Sequence, residues 1–348
     1  MSKDNKNSQD RDDHDDRDEH HEHDGYDGYD HRKKHEYEYF QSRALRHAVS
    51  TGDLADITRL NYETRINALQ DATGLSIKTL LRQPAETYAA IVRKSNGVPQ
   101  TVRSYLTAVL ALFRHSNNLR ELRPNECQEF KEYFRQVDQV VQQRYNSNIP
   151  TERQRDAYMP WSEVLKRRDS IITGASHPAA DARQRHVDHL VLCLYTMIPP
   201  LRADFGNVRI MSTSGARSKE GNMLIVTDAD MRLILNEFKS KSKRMQQYNK
   251  VLPKDLDAVI RASLARYPRT HLLVSPRDDL PFLRDNTYVV FVHRILERVL
   301  GKKVSISMLR HIYVNSLDFN ALTSGQKCQL SADMLHSVST NDRYRLIF

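Results

Sequence analysis

Proline punctuates a long run of amphipathic text between residues 76 and 145, and little other than a bundle of short helices accommodates it. In VPQTVRSYLTAVLALFRHS, Pro99 stands near the start, and Val102, Leu106, Val109, Leu110 and Phe113 recur on one helical stripe. Such a stripe has to be buried against neighbouring helices. Upstream, the helical segment SIKTLLRQPAETYAAIVRKS begins at Ser76, a residue suited to an N-cap. Downstream, NECQEFKEYFRQVDQVVQQRY starts after Pro124. No strand pattern interrupts them, so residues 50–145 read as a small helical domain. Its outer positions are basic, and Lys78, Arg93, Lys94, Arg103 and Arg114 are the residues expected to reach a polyanion.

The rest of the chain has a different texture. Residues 146–159, NSNIPTERQRDAYM, break the periodicity and read as a linker. A second domain is expected over 160–348. It opens with two helices, WSEVLKRRDSIIT and DARQRHVDHLVLCLYTMI, the latter stopped by Pro199 and Pro200. Short β-rich runs follow, NMLIVT, MRLILNEF and NKVLP, separated by Lys-rich turns. Helical text then returns in LDAVIRASLARY, NTYVVFVHRILERVL, SMLRHIYVNSLDF and the C-terminal segment. The expected fold class is mainly α with a small antiparallel β-sheet, as a helical domain followed by an α+β domain.

Charge narrows the partners. Residues 1–40 contain 14 Asp or Glu and 7 Lys or Arg, a net of −7 in a chain of +9. The remaining residues therefore carry +16, the difference between those two figures. A body this basic fits a polyanion such as nucleic acid. Residues 1–45 lack apolar periodicity and read as a disordered acidic, His-rich tail. Its His and Asp have no fixed ligand spacing, so no metal site is expected there. Cys127, Cys193 and Cys328 are odd in number and far apart, which speaks against a disulfide framework and a C-x-x-C zinc site. No apolar run approaches the roughly 20 residues of a membrane helix, and no secretory signal opens the chain. G-x-x-x-x-G-K-[ST], H-E-x-x-H and a compact acidic pair for two metals are all absent from the sequence. No cofactor is expected, and any phosphate chemistry has to rest on cationic side chains.

Three stretches offer such cations. PPLRADF places Arg202 directly after the proline pair, and FKSKSKR places Lys239, Lys241 and Lys243 between two expected strands. SMLRHIY places Arg310 and His311 in a helix whose Leu309, Ile312 and Tyr313 read as buried. An arginine on the apolar side of a helix needs partners. Further on come His336 in MLHS and Tyr344 in DRYR. Singly, each has an ordinary structural explanation. Their order is what makes a pattern.

In that order the chain resembles the tyrosine recombinase (phage-integrase-type) family. There an Arg, a β-hairpin Lys, a box of the form H-x-x-R-H, a His or Trp and a late Tyr follow one another. The flavour is that of recombinases from eukaryotic mobile elements and large DNA viruses. The resemblance covers about 50–348, with TVRSYLTAVLALFRH similar to the family's core-binding domain. It implies that Tyr344 attacks a DNA phosphodiester, forming a 3′-phosphotyrosine and releasing a 5′-hydroxyl, without metal or ATP. Arg202 and Arg310 would grip the non-bridging oxygens, His336 would donate a further hydrogen bond, and Lys239 would protonate the leaving oxygen. Lys241 is the alternative acid, and Lys243 joins the DNA contacts. Double-stranded DNA, a homo-tetramer assembled on it, and an intracellular location with DNA (the nucleus in a eukaryote, otherwise the cytoplasm) are also implied.

Two features depart from the family pattern: the interval from His336 to Tyr344 is about one residue shorter than in many members, and one position of the box differs. Ser307 stands where the box usually has His or Lys, and serine can hydrogen-bond a phosphate but is no acid or base near neutral pH. His311, the neighbour of Arg310, is a further catalytic candidate, although one step along the helix it is expected to point elsewhere. Two other readings stand beside the recombinase. One is a type IB topoisomerase-like enzyme that relaxes DNA with a similar residue set. The other is a sequence-specific DNA-binding protein with impaired chemistry, of which Ser307 would be the mark.

Overall fold

The computed structural model describes residues 56–115, 119–173, 182–212, 221–239, 241, 246–282 and 285–348. The acidic tail and Lys243 lie outside the described residues. The chain divides into two compact units between Gln139 and Val140.

The first unit is helical: α1 (Asp56–Thr73), α2 (Ile77–Arg82), α3 (Pro84–Lys94), α4 (Pro99–His115), α5 (Leu119–Leu122) and α6 (Pro124–Ser147), whose last residues belong to the second unit. Proline is the first residue of α3, α4 and α6, where its missing N–H would have had no partner anyway. The segment starting at Ser76 is two helices. Ser76 does cap α2, its Oγ accepting from Thr79 N at 3.2 Å. Gln83 then leaves the helical region (φ −124, ψ 70), as the residue before a proline tends to do. On α4, Val102, Leu106, Val109 and Phe113 are buried, and Leu110 is half-buried. Phe113 meets Phe130 of α6 with ring centroids 5.8 Å apart. Lys78, Arg93, Lys94 and Arg114 are exposed. Arg103 is not available in the same way, because its Nε donates to Asp138 at 2.5 Å and its guanidinium packs over Phe134.

The second unit is mixed. Its helices are α7 (Glu152–Ala157), α8 (Trp161–Thr173), α9 (Ala182–Thr196), α10 (Lys254–Arg266), α11 (Asp285–Leu300), α12 (Ile306–Asn315), α13 (Ser324–Asp333) and α14 (Val338–Tyr344). Between α9 and α10 lie β1 (Val208–Met211), β2 (Asn222–Val226), β3 (Met231–Leu235) and β4 (Tyr248–Val251), in spatial order β1-β2-β3-β4. The pairs β2–β3 and β3–β4 are antiparallel as expected, whereas β1 joins β2 in parallel, so the sheet is mixed. The reason lies on the far side of β1. Ile210 N donates to Thr270 O and Leu272 N to Val208 O, both at 2.8 Å, which fixes β1 between β2 and the segment after α10. The stretch read as a linker contains α7, held by a capping box between Thr151 and Gln154. Leu190 to Tyr195 of α9, Val292, Ile295 and Leu296 of α11, and Leu309 and Ile312 of α12 meet in one apolar core. Across it, Arg298 grips the fully buried Asp188 carboxylate at 2.6 and 2.8 Å. Among the described residues, no helix is long and apolar enough to cross a membrane.

Candidate active site

Arg202 sits just past α9, in a loop fastened from below. Tyr195 Oη donates to Arg202 O at 2.6 Å and lies 3.2 Å from Tyr288 Oη, and Arg202 N donates to Asp204 Oδ2 at 3.0 Å. Burial drives the pKa of both phenols upward, so they stay neutral donors. Gly206 permits the Tyr288 ring to approach: a Cβ there would meet Tyr288 Cγ at 2.9 Å. Sequence reasoning missed the supports Tyr195, Tyr288, Asp204 and Gly206, since nothing in local spacing links residue 195 to 288.

Arg310 occupies α12, whose N-cap Ser305 accepts from Met308 N at 3.0 Å. Its side chain is 0% exposed. Each arm of the guanidinium has its own acceptor. Nε donates to Tyr344 Oη at 3.0 Å, Nη2 to Met334 O at 2.9 Å, and Nη1 to Pro200 O. The guanidinium also lies 4.9 Å from the Tyr344 ring centroid. Burial lowers its pKa, and the neighbouring Tyr344 oxygen opposes that shift.

The carbonyls that receive these arginines come from a strained helix end. After α13, His336 N donates to Ser331 O at 3.0 Å and Leu335 N to Ala332 O at 3.1 Å. That pair of bonds is a Schellman motif with Leu335 in the left-handed position (φ 53). A branched side chain there costs about 1–2 kcal/mol. The strained turn delivers Leu335 O to Arg202 Nη1 at 2.9 Å, and Met334 O to Arg310.

His336 follows directly and is 8% exposed. Its Nδ1 lies 3.3 Å from Arg310 Nη2. Guanidinium only donates, so Nδ1 accepts and the imidazole hydrogen sits on Nε2. That Nε2 is buried and has no hydrogen-bond partner among the described residues. Asn341 Oδ1 is likewise buried without one; it stands near enough to favour a proton on His336 without closing a hydrogen bond. Burial, then the charges of Arg310 and Arg202, push the His336 pKa down to about 3. His336 is therefore a neutral donor with an unsatisfied N–H beside two arginines, which suits an anionic oxygen.

That depression makes a pH prediction. The folded-state pKa lies below the unfolded value near 6.5, so the unfolded chain takes up the proton first as pH falls. Stability linked to His336 is intact above about pH 6.5 and is lost between there and about pH 3. At pH 5 the loss should be about 2 kcal/mol. Melting curves of the parent and of His336→Gln between pH 7 and pH 5 should diverge, the variant losing less. Parallel curves would show that His336 is not held neutral.

Tyr344 ends α14 and is 9% exposed. Besides Arg310, both histidines flank its ring, His311 at 4.8 Å and His336 at 5.2 Å between centroids. His311 does not point elsewhere. Its Nδ1 donates to the Tyr344 carbonyl at 2.8 Å, leaving Nε2 to accept from Gln154 Nε2 at 3.5 Å. The residues after Tyr344 are fastened as well. Asn315 and Leu346 exchange hydrogen bonds of 2.8 and 2.9 Å, and Ile347 N donates to Asn148 O at 2.9 Å.

The structure thus brings together Arg202, Arg310, His336, Tyr344 and His311. It does not bring in the others. Ser307 is exposed on the first turn of α12, and among the described residues its side chain makes no hydrogen bond to the cluster. Lys239 is exposed in the β3–β4 connection and has no hydrogen-bond partner among the described residues. Lys241 is tied down, its Nζ donating to Asn236 O at 2.7 Å. Among the described residues, no group of His, Cys, Asp and Glu is arranged to hold a metal ion.

No family model matches the sequence, and neither does any curated protein. Solved structures do show likeness. A XerA recombinase is 13% identical, over 88% of this chain and 94% of that one, with a TM-score of 0.38. A lambda integrase (75–356) dimer bound to a COC′ core site is 11% identical, over 87% and 93%, with a TM-score of 0.48. XerH site-specific recombinase, in a pre-cleavage complex with its difH substrate, is 12% identical, over 87% and 90%, with a TM-score of 0.38. The chain is similar, at low identity and over most of its length, to solved recombinase structures.

Proposed function

We propose that this protein is a site-specific DNA recombinase that cuts and rejoins strands through a 3′-phosphotyrosine intermediate. One observation carries the reading: Arg310 donates to the Tyr344 hydroxyl at 3.0 Å inside a buried cluster that also holds His336 and Arg202. A phenol oxygen, two guanidinium groups and an unsatisfied imidazole N–H are what an in-line attack on a phosphodiester requires. Phosphoryl transfer is mostly positioning and charge stabilisation.

In this mechanism the scissile phosphate accepts from Arg202 and, as Tyr344 Oη moves off Arg310 Nε toward phosphorus, from the N–H that this releases, and His336 Nε2–H binds a remaining oxygen. Tyr344 Oη forms the bond to phosphorus as the bond to O5′ breaks. The phenol proton passes to water, and Lys239 supplies a proton to the departing 5′-oxygen. The ester conserves the bond energy, so a 5′-hydroxyl can reverse the step without ATP. Lys78, Arg93, Lys94 and Arg114 add phosphate contacts and make affinity salt-dependent. Assembly as a tetramer, two copies per recombining site, completes the proposal.

The test is covalent trapping. Protein incubated with nicked duplex and quenched in detergent should give a protein–DNA adduct, with the DNA carried on the peptide that contains Tyr344. Ser307, exposed on α12 where the resemblance expects His or Lys, favours a second reading, a DNA-binding protein with impaired chemistry. Saturated binding with no adduct on nicked or supercoiled DNA would select it.

The two lysines should separate. Lys239→Ala is expected to slow cleavage by about 10²–10⁴. A substrate with sulfur in place of the 5′-bridging oxygen should restore it, because a thiolate leaves without a proton. Lys241→Ala should matter less. If the sulfur substrate rescues Lys241→Ala instead, the assignment reverses.

A further inference from the structure

A second cationic site lies at the other end of α9. A cleft of about 490 Å³ is lined there by Arg183, His186, Arg266, Tyr267, Arg269 and Asp279. Arg183, on the first turn of α9, is separated from the end of that 15-residue helix by roughly 20 Å, so the cleft is distinct from the Arg202 cluster.

Among the described residues, the lining carries three guanidinium groups and one carboxylate, Asp279, which pairs with Arg183. Arg269 spends its donors on neutral acceptors: Nε on Leu272 O at 3.0 Å, Nη1 on Tyr267 O at 2.9 Å, and Nη2 on Ser263 Oγ at 2.9 Å. Its full charge therefore stays in the wall, and burial, with the charge of Arg183, lowers its pKa to about 10. Arg266 is exposed at the rim. His186 contributes a buried Nε2 with no hydrogen-bond partner among the described residues. Burial, then the charges of Arg269 and Arg266, lower its pKa. Two aromatic planes complete the wall, the His186 and Tyr267 rings 5.1 Å apart, with Arg183 and Arg266 at 5.7 and 5.6 Å from the Tyr267 centroid.

Excess guanidinium charge, an unsatisfied ring nitrogen and aromatic walls in one concave site favour an anion with a planar group attached. The volume fits one small ligand. We propose that this cleft binds a nucleoside phosphate, with Arg266 and Arg183 on the phosphoryl oxygens, His186 Nε2 on a further polar atom, and the ring walls against the base. The ligand is either a free nucleotide or the exposed end of a DNA strand. The site stands whether or not Tyr344 cleaves DNA, and its test needs no cleavage.

Calorimetric titration of the full chain with AMP, adenosine and inorganic phosphate tests it. AMP should bind saturably with a Kd of roughly 10 µM to 1 mM, and at least about tenfold more tightly than either fragment. Arg266→Glu and His186→Ala, both checked for a parental melting curve, should each weaken AMP by about tenfold or more. Arg266 is exposed, so its reversal tests the ligand contact without disturbing the core. A labelled duplex then separates the sources. Unchanged duplex affinity in Arg266→Glu assigns the cleft to a free nucleotide, and a parallel loss assigns it to a strand end; either outcome upholds the site. Absence of saturable AMP binding to folded protein, equal binding of adenosine or phosphate, or AMP binding indifferent to both variants would overturn it.

Discussion

Tyr344→Phe should abolish the covalent protein–DNA adduct while duplex affinity stays within about threefold of the parent, since phosphate contacts made elsewhere dominate binding. The substitution removes one oxygen and leaves the ring where it is. His311, His336 and Arg310 all pack on that ring, so the site should keep its shape. The side effect is on Arg310. Its Nε loses the acceptor at 3.0 Å, and an unsatisfied buried donor costs about 1–3 kcal/mol. A melting temperature a few degrees lower, restored when DNA is bound, should accompany the loss of the adduct. An adduct that persists in the variant would mean another nucleophile and would remove the basis of the mechanism.

Arg310→Lys should be nearly as damaging to chemistry, although it preserves the charge. The three nitrogens of Arg310 face three acceptors drawn from distant parts of the sequence, Pro200 O, Met334 O and Tyr344 Oη. A single ammonium on a longer stem cannot serve all three at once. Single-turnover cleavage of pre-bound DNA is expected to fall about 10²–10³-fold, the scale for losing one preorganised donor at a developing charge. The carbonyls left unpaired should destabilise the fold by about 2–4 kcal/mol. His336 also loses its contact with Nη2, while the burial and positive charge that lower its pKa remain. Cleavage within about threefold of the parent, in a variant that is folded and binds DNA, would show that the guanidinium fork is dispensable and that Arg310 serves packing alone.

Much of this site could be read along the sequence, because its side chains are of types that are rarely buried. Arg310 among Leu309 and Ile312 demanded partners, and the structure supplies them. The stripe on α4 and the proline starts of α4 and α6 were equally plain. What failed did so for local reasons. β1 is only VRIM, too short to show alternation, and its partners come from residues 222 and 270–272. The capping box of α7 was there in TERQ, Thr151 to Gln154, and was outweighed by Pro150 and the broken periodicity around it. The role of His311 was out of reach. Neighbours on a helix diverge by about 100°, yet Tyr344 spans both directions, offering its hydroxyl to Arg310 and its carbonyl to His311. Leu335 hid its turn as well, since left-handed helix ends are usually announced by glycine, and the contact of its carbonyl with Arg202 links residues 133 positions apart.

The arginines of the cluster are held mainly by peptide carbonyls, at Pro200, Met334 and Leu335. A carbonyl is present whatever side chain the residue carries. Descent with modification can therefore rewrite these supporting positions freely, provided the path of the chain survives. What must be inherited is a handful of side chains and a backbone trace, and a lineage can drift far in its lettering while its chemistry stands still.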